Sequence, residues 1–302
     1  MKMAIRISNL NKSYDNKKVI DNLSFEIPEN CICGFLGPNG AGKTTTFKLL
    51  SNLISRDLGD IEILGEKIGN KIQSKDIRFL QDVPEFYDFM SAYEYLKFIC
   101  RLNKLNNVDT KIKEMLELVG LSDSKNKRIG KFSRGMKQRL GIAASIIPNP
   151  KILLLDEPIS ALDPMGRKEI FELLNKLRGK MTIVFSTHII DDIERVSDKI
   201  IIINKGKKVI DGNISELKNI NLTNKLELKF MNNEDRKKFI KVFEIENIEI
   251  EEIEQDIISF KVDKLNIQEE IFKVLSTEKI NLLSFSVVTP TLEEIFIEEV
   301  SK

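Results

Sequence analysis

Apolar positions along the chain recur with two different periods, and the changes of period mark out its elements. Over residues 1–35 the period is two. AIRIS (4–8) and NLSFEI (22–27) alternate as half-buried strands do, and SYDNKKV (13–19) holds a turn between them. CICGFL (31–36) is instead a short continuous apolar run, the pattern of a strand buried on both faces of a parallel sheet. From about residue 91 to 147 the period lengthens to that of a helix. In TKIKEMLELVGL, Ile112, Met115, Leu116 and Val119 fall at i, i+3, i+4 and i+7, so they form a core face, with Asp109 placed to cap the start and Gly120 the end. Strand and helix then alternate: KILLLDE (151–157) and TIVFSTH (182–188) as buried strands, GRKEIFELLNKLR (166–178) and DDIERVSD (191–198) as helices. KIIIIN (199–204), Lys205-Gly206 and KKVIDG (207–212) form a hairpin. The alternation predicts an α/β domain whose mostly parallel sheet is covered by helices.

Beyond about residue 215 the texture changes. Gly is absent, Glu and Ile dominate, and IEIEEIE (248–254) alternates like a half-exposed strand. The pattern predicts strands at 225–231, 246–253, 256–262 and 280–288, with helices at 234–243, 266–277 and 291–300. That βαββαβ order describes a small α+β module over 216–302, appended to a first domain over 1–215 whose helical subdomain spans about 86–147. No internal repeat or low-complexity tract is present.

Composition narrows the classes. With 302 residues, 42% hydrophobic and 31% charged, the chain can bury two cores and is not of the disordered type. Its 47 basic and 46 acidic side chains leave a net charge of +1, so no global field draws it to nucleic acid. The longest apolar runs, ILLL and IIII, fall far short of the roughly 20 residues that cross a bilayer. MKMAIRISNL lacks the apolar core of a signal peptide, so work at a membrane is expected to go through a partner. Cys31, Cys33 and Cys100 are odd in number, and two of them share a strand. They are expected to be small buried hydrophobes in a reducing compartment.

The chemistry concentrates in two places. GPNGAGKT fits the phosphate-loop pattern G-x-x-x-x-G-K-[ST] between a strand and a helix. Its glycines let backbone amides converge on an anion, Lys43 reaches the β and γ phosphates, Thr44 binds Mg²⁺, and the helix points its amino end at the same charge. ILLLDEP puts Asp156 at the carboxyl end of a buried strand, where it can hold Mg²⁺. Glu157 follows, placed to polarise a water, and Pro158 biases Glu157 to an extended backbone. Alone, an acidic pair after an apolar run also describes a capped strand end, and Ser133 in FSRGM also describes a helix cap.

Taken in order, GPNGAGKT, FSRGMKQRL, ILLLDEP, SALD and STH resemble the ATP-binding cassette (ABC) family of transport ATPases over about residues 3–213. The resemblance implies a P-loop NTPase cassette: a mixed sheet with a RecA-like core and a helical subdomain. It implies that Gly37, Pro38, Asn39, Gly40, Ala41, Gly42, Lys43, Thr44 and Thr45 hold the phosphates of ATP, that Asp156 and Thr44 hold Mg²⁺, and that Glu157 and His188 act with Lys43 in catalysis. Tyr14 corresponds to the aromatic that stacks on adenine; its other reading is a turn residue beside a strand. Either Gln81 or Asp82 takes the place of the family's metal-approaching Gln. FSRGM stands where the family usually has LSGGQ, keeping Ser133 and Gly135 and departing at Arg134 and Met136.

In the family the signature of one cassette caps the γ-phosphate held by another. A second copy of this chain is therefore the implied partner, with Asp163 signalling across the dimer. Residues 81–95, rich in aromatics, correspond to the surface that receives an integral-membrane permease, which would hold the protein on the cytoplasmic face of the membrane. SRGMKQRL and the terminal TPTLEEIFIEEV are similar to the bacitracin and lantibiotic-resistance branch of drug exporters. The rival readings are a soluble cassette ATPase acting on nucleic acid or ribosomes and a regulatory cassette. A GTPase is excluded by the lack of an N-K-x-D motif, and no nucleic acid is expected as a partner.

Overall fold

The computed structural model describes residues 2–15, 17–68, 76–220, 224–242, 250–254, 257–262 and 267–288. It divides into two compact units, Met1–Ile214 and Ser215–Lys302.

The first unit is built on two sheets. Strands β1 (Met3–Tyr14) and β2 (Lys17–Pro28) form an antiparallel hairpin, longer than the two short alternating runs suggested because bulges carry the pairing past Leu10. The next elements are β3 (Ile32–Leu36), helix α1 (Lys43–Leu50), β4 (Leu58–Ile63), β5 (Glu66–Lys67) and β6 (Ile77–Leu80). The first sheet has the order β2-β1-β4-β5. Three helices follow: α2 (Ala92–Leu102), α3 (Val108–Leu118) and α4 (Arg134–Ile146). Then come β7 (Ile152–Leu155), α5 (Pro164–Leu177), β8 (Thr182–Thr187), α6 (Ile190–Val196), β9 (Lys199–Asn204) and β10 (Lys207–Asn213), after which α7 (Ile214–Ile220) begins at the boundary between the units. The second sheet runs β10-β9-β3-β8-β7-β6. All its pairs are parallel except β9 with β10, which form the expected hairpin.

Every residue of β3, β7 and β8 is buried, as their unbroken apolar runs require. A file of rings crosses the core: Phe25 to Phe35 at 5.6 Å, Phe35 to Phe47 at 5.5 Å, and Phe47 to Phe79 at 6.2 Å. It ties the antiparallel sheet to β3 and α1, so the loop between β3 and α1 hangs from a rigid support. Gly141 on α4 allows close packing on β6, since a Cβ there would meet Leu80 Cδ1 at 2.9 Å.

Three local expectations change. Helix α3 starts two residues earlier than an Asp109 cap would allow. Asn107 occupies the N-cap in left-handed conformation, and Asp109, inside the first turn, accepts the Tyr93 hydroxyl at 2.5 Å. Gly120 does end that region, at φ +64. Helix α5 begins before Gly166 because Asp163 caps it and Pro164 fills the first position. Of the cysteines, Cys33 and Cys100 are buried but Cys31 is only partly so, and its thiol donates to Pro28 O at 3.2 Å. Burial still pushes the Cys31 thiol up to about 11, so it carries no thiolate at neutral pH.

The second unit contains β11 (Asn224–Phe230), α8 (Asn233–Val242), β12 (Ile250–Glu254), β13 (Ile257–Val262), α9 (Ile267–Thr277) and β14 (Leu282–Val288). Its sheet is antiparallel throughout, with the order β12-β13-β11-β14. Leu226, Leu228 and Phe230 alternate along β11 and pack with Phe239, Ile258, Ile271 and Leu275. Residues 246–249 of one expected strand, the expected helix at 291–300 and the segment TPTLEEIFIEEV lie outside the described residues.

Candidate nucleotide site

Strand β3 delivers the chain into a loop at the carboxyl edge of the sheet, and α1 carries it away. Two glycines are fixed there by close approach. A Cβ on Gly37 would lie 2.5 Å from Ile203 O. One on Gly42, at φ +107, would lie 2.6 Å from Ile20 Cδ1. Gly42 is also the N-cap of α1 and has no side chain to satisfy the first-turn N–H groups, which are left to an anion. Lys43 is buried to 7% exposure. Its Nζ donates to Gly37 O at 2.7 Å and lies 3.2 Å from Glu157 Oε1.

Asp156 leaves β7 almost fully buried, at 3% exposure. Thr44 Oγ1 donates to its Oδ2 at 2.7 Å, and Ser186 Oγ on β8 donates to its Oδ1 at 2.6 Å. Glu157 is not extended, contrary to the bias expected from Pro158. Its φ is +47, a left-handed backbone that costs an ordinary residue about 1–3 kcal/mol. Its N–H is captured by Ser186 Oγ at 2.8 Å, and its C=O accepts the Ser160 N–H at 3.1 Å; this turn overrides the pre-proline preference. The result aims both carboxylate oxygens, one at Lys43 and the other at His188 Nδ1, 3.1 Å away.

Lys43, Thr44, Glu157 and His188 share one cavity of about 360 Å³, lined also by Val19, Pro38, Asn39, Gly40, Gly42, Thr45, Asp82 and Ser160; Asp156 and Ser186 lie behind its wall. Ala41 is buried beneath the loop. Asp82 borders this cavity, whereas Gln81 borders a different groove, with Pro84, Phe86, Tyr95 and Gly141. Tyr14 is 46% exposed, with the Lys12 ammonium 5.3 Å from its ring centre, and it does not line the cavity. Val19 lines it without any motif announcing it, and Ser160 lines it although only Asp163 of the SALD motif was singled out.

The donors suit Mg²⁺. Thr44 Oγ1 and Asp156 Oδ2 already converge at 2.7 Å, both hard oxygens. Among the described residues no cluster of three or more His, Cys, Asp or Glu forms a cage.

Three residues expected in the same chemistry stand apart. Ser133, Gly135 and Asp163 do not line this cavity. Ser133 caps α4, its Oγ accepting the Met136 N–H at 3.2 Å, and Asp163 caps α5 by accepting the Gly166 N–H at 2.9 Å.

The helices that carry these loops are braced together. Arg167 on α5 donates to both oxygens of Asp192 on α6, at 2.7 and 2.9 Å, and Thr187 Oγ1 lies 3.3 Å from the same carboxylate. Burial pushes the Asp192 carboxyl up, against the pull of Arg167. Removing the guanidinium in Arg167→Ala is expected to cost about 2 kcal/mol in denaturant unfolding at neutral pH. Because the folded carboxyl titrates higher than the unfolded one, that cost should shrink as pH falls through its raised range.

The family profile for "ABC transporter" matches residues 20–160, and that for "ATP-binding protein DrrA1-3-like, C-terminal domain" matches residues 212–300. The chain is 45% identical over 222 residues to the ABC transporter ATP-binding protein YxlF of Bacillus subtilis, covering 73% of this chain and 74% of that one. It is 35% identical over 305 residues to the bacitracin transport ATP-binding protein BcrA of Bacillus licheniformis, covering 99% and 97%. Among solved structures, CbiO1 of Clostridium perfringens, part of the ABC transporter complex CbiONQ, superposes with a TM-score of 0.67 at 26% identity over 72% of this chain and 91% of that one. The chain belongs to the ATP-binding subunits of the ABC transporter family. Its activity is ATP hydrolysis coupled to transport, and subunits of this class work with membrane permease components. Among the described residues no helix is long and apolar enough to cross a membrane.

Proposed function

We propose that two copies of this chain bind Mg²⁺-ATP at two shared sites and drive a separate permease that exports a peptide antibiotic or a lipid-linked compound. The observation that carries the shared sites is Gly135. A Cβ there would meet only Leu162 Cδ2, at an ordinary 3.9 Å, so nothing in its own chain requires glycine. Glycine in a helix costs about 1 kcal/mol relative to alanine, so its presence beside the exposed Ser133 fits a surface that another molecule must approach closely. A triphosphate held by the loop of a second copy is of the right charge for the amino end of α4.

In this reading Lys43 gives up Gly37 O for the β and γ phosphates, and Tyr14 takes the adenine. Thr44 and Asp156 hold Mg²⁺, with Asp82 facing it rather than Gln81. The metal supplies charge neutralisation of the phosphates. Glu157 orients a water in line with the γ-phosphorus and accepts its proton, while His188 fixes the carboxylate through Nδ1. Lys43 and the loop amides stabilise the charge that develops. Loss of the γ-phosphate removes the bridge between copies, and Asp163 relays the opening.

The groove bordered by Gln81, Pro84, Phe86 and Tyr95, with Tyr87 and Phe89 exposed beside it at 52% and 68%, suits a short helix of the permease. That contact would keep the protein on the inner face of the membrane. The antibiotic assignment rests on the near full-length similarity to BcrA.

Capture through a tag on this chain from solubilised membranes should bring down one polytopic protein. Expressing the two together should raise the bacitracin or lantibiotic concentration that stops growth severalfold, and Lys43→Ala should return it to baseline. Equal sensitivity with and without the pair contradicts the export assignment.

A further inference from the structure

Two departures from the family pattern meet in this fold. Arg134 stands where the signature usually has glycine, and Asp82 stands beside Gln81 at the metal-approaching position. They are 52 residues apart in sequence, yet Arg134 Nη2 lies 3.3 Å from Asp82 Oδ1. Ser160 completes the group: its Oγ donates to Asp82 Oδ1 at 2.7 Å and accepts from Arg134 Nη2 at 3.3 Å. Asp82 and Ser160 both line the phosphate cavity. Ser160 is also joined through its N–H to Glu157 O at 3.1 Å, and Arg134 follows the cap residue Ser133 on α4.

We propose that Arg134 is a positioning residue that acts through Asp82, holding that carboxylate at the rim of its own chain's phosphate cavity and neutralising it until metal and triphosphate arrive. The charge inventory makes this necessary. Two carboxylates, Asp82 and Glu157, line a cavity built for a polyanion, and a third, Asp156, lies buried behind Thr44. Of these, Glu157 is paired with Lys43, and Asp156 is hydrogen-bonded by two hydroxyls. Asp82 has Arg134 as its cationic partner. A glutamine at position 82 would carry no charge to neutralise, and a glycine at 134 would then suffice, so the two departures belong together.

The pair is not a fold-stabilising one. Both side chains are half-exposed, 47% for Arg134 and 42% for Asp82, and such pairs contribute little to folding. Asp82→Gln and Arg134→Lys should therefore unfold at the wild-type midpoint, and Arg134→Gly, which puts a second glycine in the first turn of α4, should lose at most about 1 kcal/mol and stay folded under the binding conditions.

The proposal rests on the assignment of this cavity to nucleotide and metal, so Lys43→Ala serves as the control. If that variant binds a fluorescent ATP analogue as wild type does, the cavity assignment fails, whatever the pair does. With EDTA present, Arg134→Gly should weaken binding of the analogue about threefold to fivefold, the scale of a half-exposed ion pair. In the Asp82→Gln background the same substitution should cost less than twofold, and Arg134→Lys should recover most of the wild-type affinity. Adding Mg²⁺ should close the gap: Arg134→Gly should reach half-maximal binding at a lower Mg²⁺ concentration than wild type, because Asp82 is released to the metal. Raising the salt to 1 M should shrink the coupling between the two positions. Equal cost of Arg134→Gly in both backgrounds, or an unchanged Mg²⁺ requirement, would overturn the proposal.

Discussion

Glu157→Gln is expected to bind ATP as tightly as wild type, to lose turnover about a hundredfold or more, and to accumulate as a dimer in Mg²⁺-ATP. The argument starts from the two oxygens of that carboxylate. One lies 3.2 Å from the Lys43 ammonium and the other 3.1 Å from His188 Nδ1. An amide of the same shape keeps the size and one acceptor but cannot take a proton from water, and a missing general base typically costs 10²–10⁴-fold. Binding is spared because the phosphates are held elsewhere: by the loop, by the amino end of α1, and by Lys43 and Thr44. Lys43 even loses a competing anion. With the γ-phosphate uncleaved, the bridge between copies persists. Light scattering should then report twice the 34.7 kDa chain mass in Mg²⁺-ATP and single chains without it. A variant that stays monomeric at saturating nucleotide contradicts the shared-site scheme.

How much of this could be seen in the letters depends on whether a residue's role is local. Gly37 and Gly42 were legible because each is demanded by a backbone approach within a strand–loop–helix unit, and that unit has a fixed spelling. Asp156 was legible because it ends an apolar run in a chain that also carries GPNGAGKT; alone, the same letters describe a capped strand end. Ser186, Ser160 and Arg134 sit inside the motifs STH, SALD and FSRGM, yet the letters did not say which carboxylate each would meet. Their partners lie 30, 78 and 52 positions away, and nothing in a serine or arginine announces which distant carboxylate it will meet. Glu157 shows the same limit at the backbone: the residue before a proline prefers an extended form, yet the Ser186 hydroxyl on a neighbouring strand holds its N–H and turns it left-handed. Asp109 looked like a helix cap until Tyr93, on the preceding helix, supplied it with another partner. Period alone found the longer elements in both units. It missed β5, β6 and α7, which are too short to show a period, and β4, whose alternation is confined to Ile61, Glu62 and Ile63.

The sharing of sites can be tested by mixing two dead proteins. Lys43→Ala removes the cation from a chain's own loop but leaves its α4 surface intact. Gly135→Asp does the reverse, and it should fold, since the position has room for a Cβ and an acidic residue suits the first turn of a helix. Placed against a triphosphate, however, the added carboxylate repels it. Each protein alone should hydrolyse ATP at or near background. If each site takes its loop from one copy and its signature from the other, a Lys43→Ala chain beside a Gly135→Asp chain contains one site with both defects and one with neither. An equal mixture places about half of all dimers in that arrangement, each with one of two sites whole, so about a quarter of wild-type activity should appear on mixing when the sites work independently. A chain that completed its site alone would gain nothing from the other, because every molecule in the tube would still carry its own defect. A rate that stays at the sum of the two parents therefore contradicts the shared site, and a rise that depends on protein concentration, as pairing must, supports it.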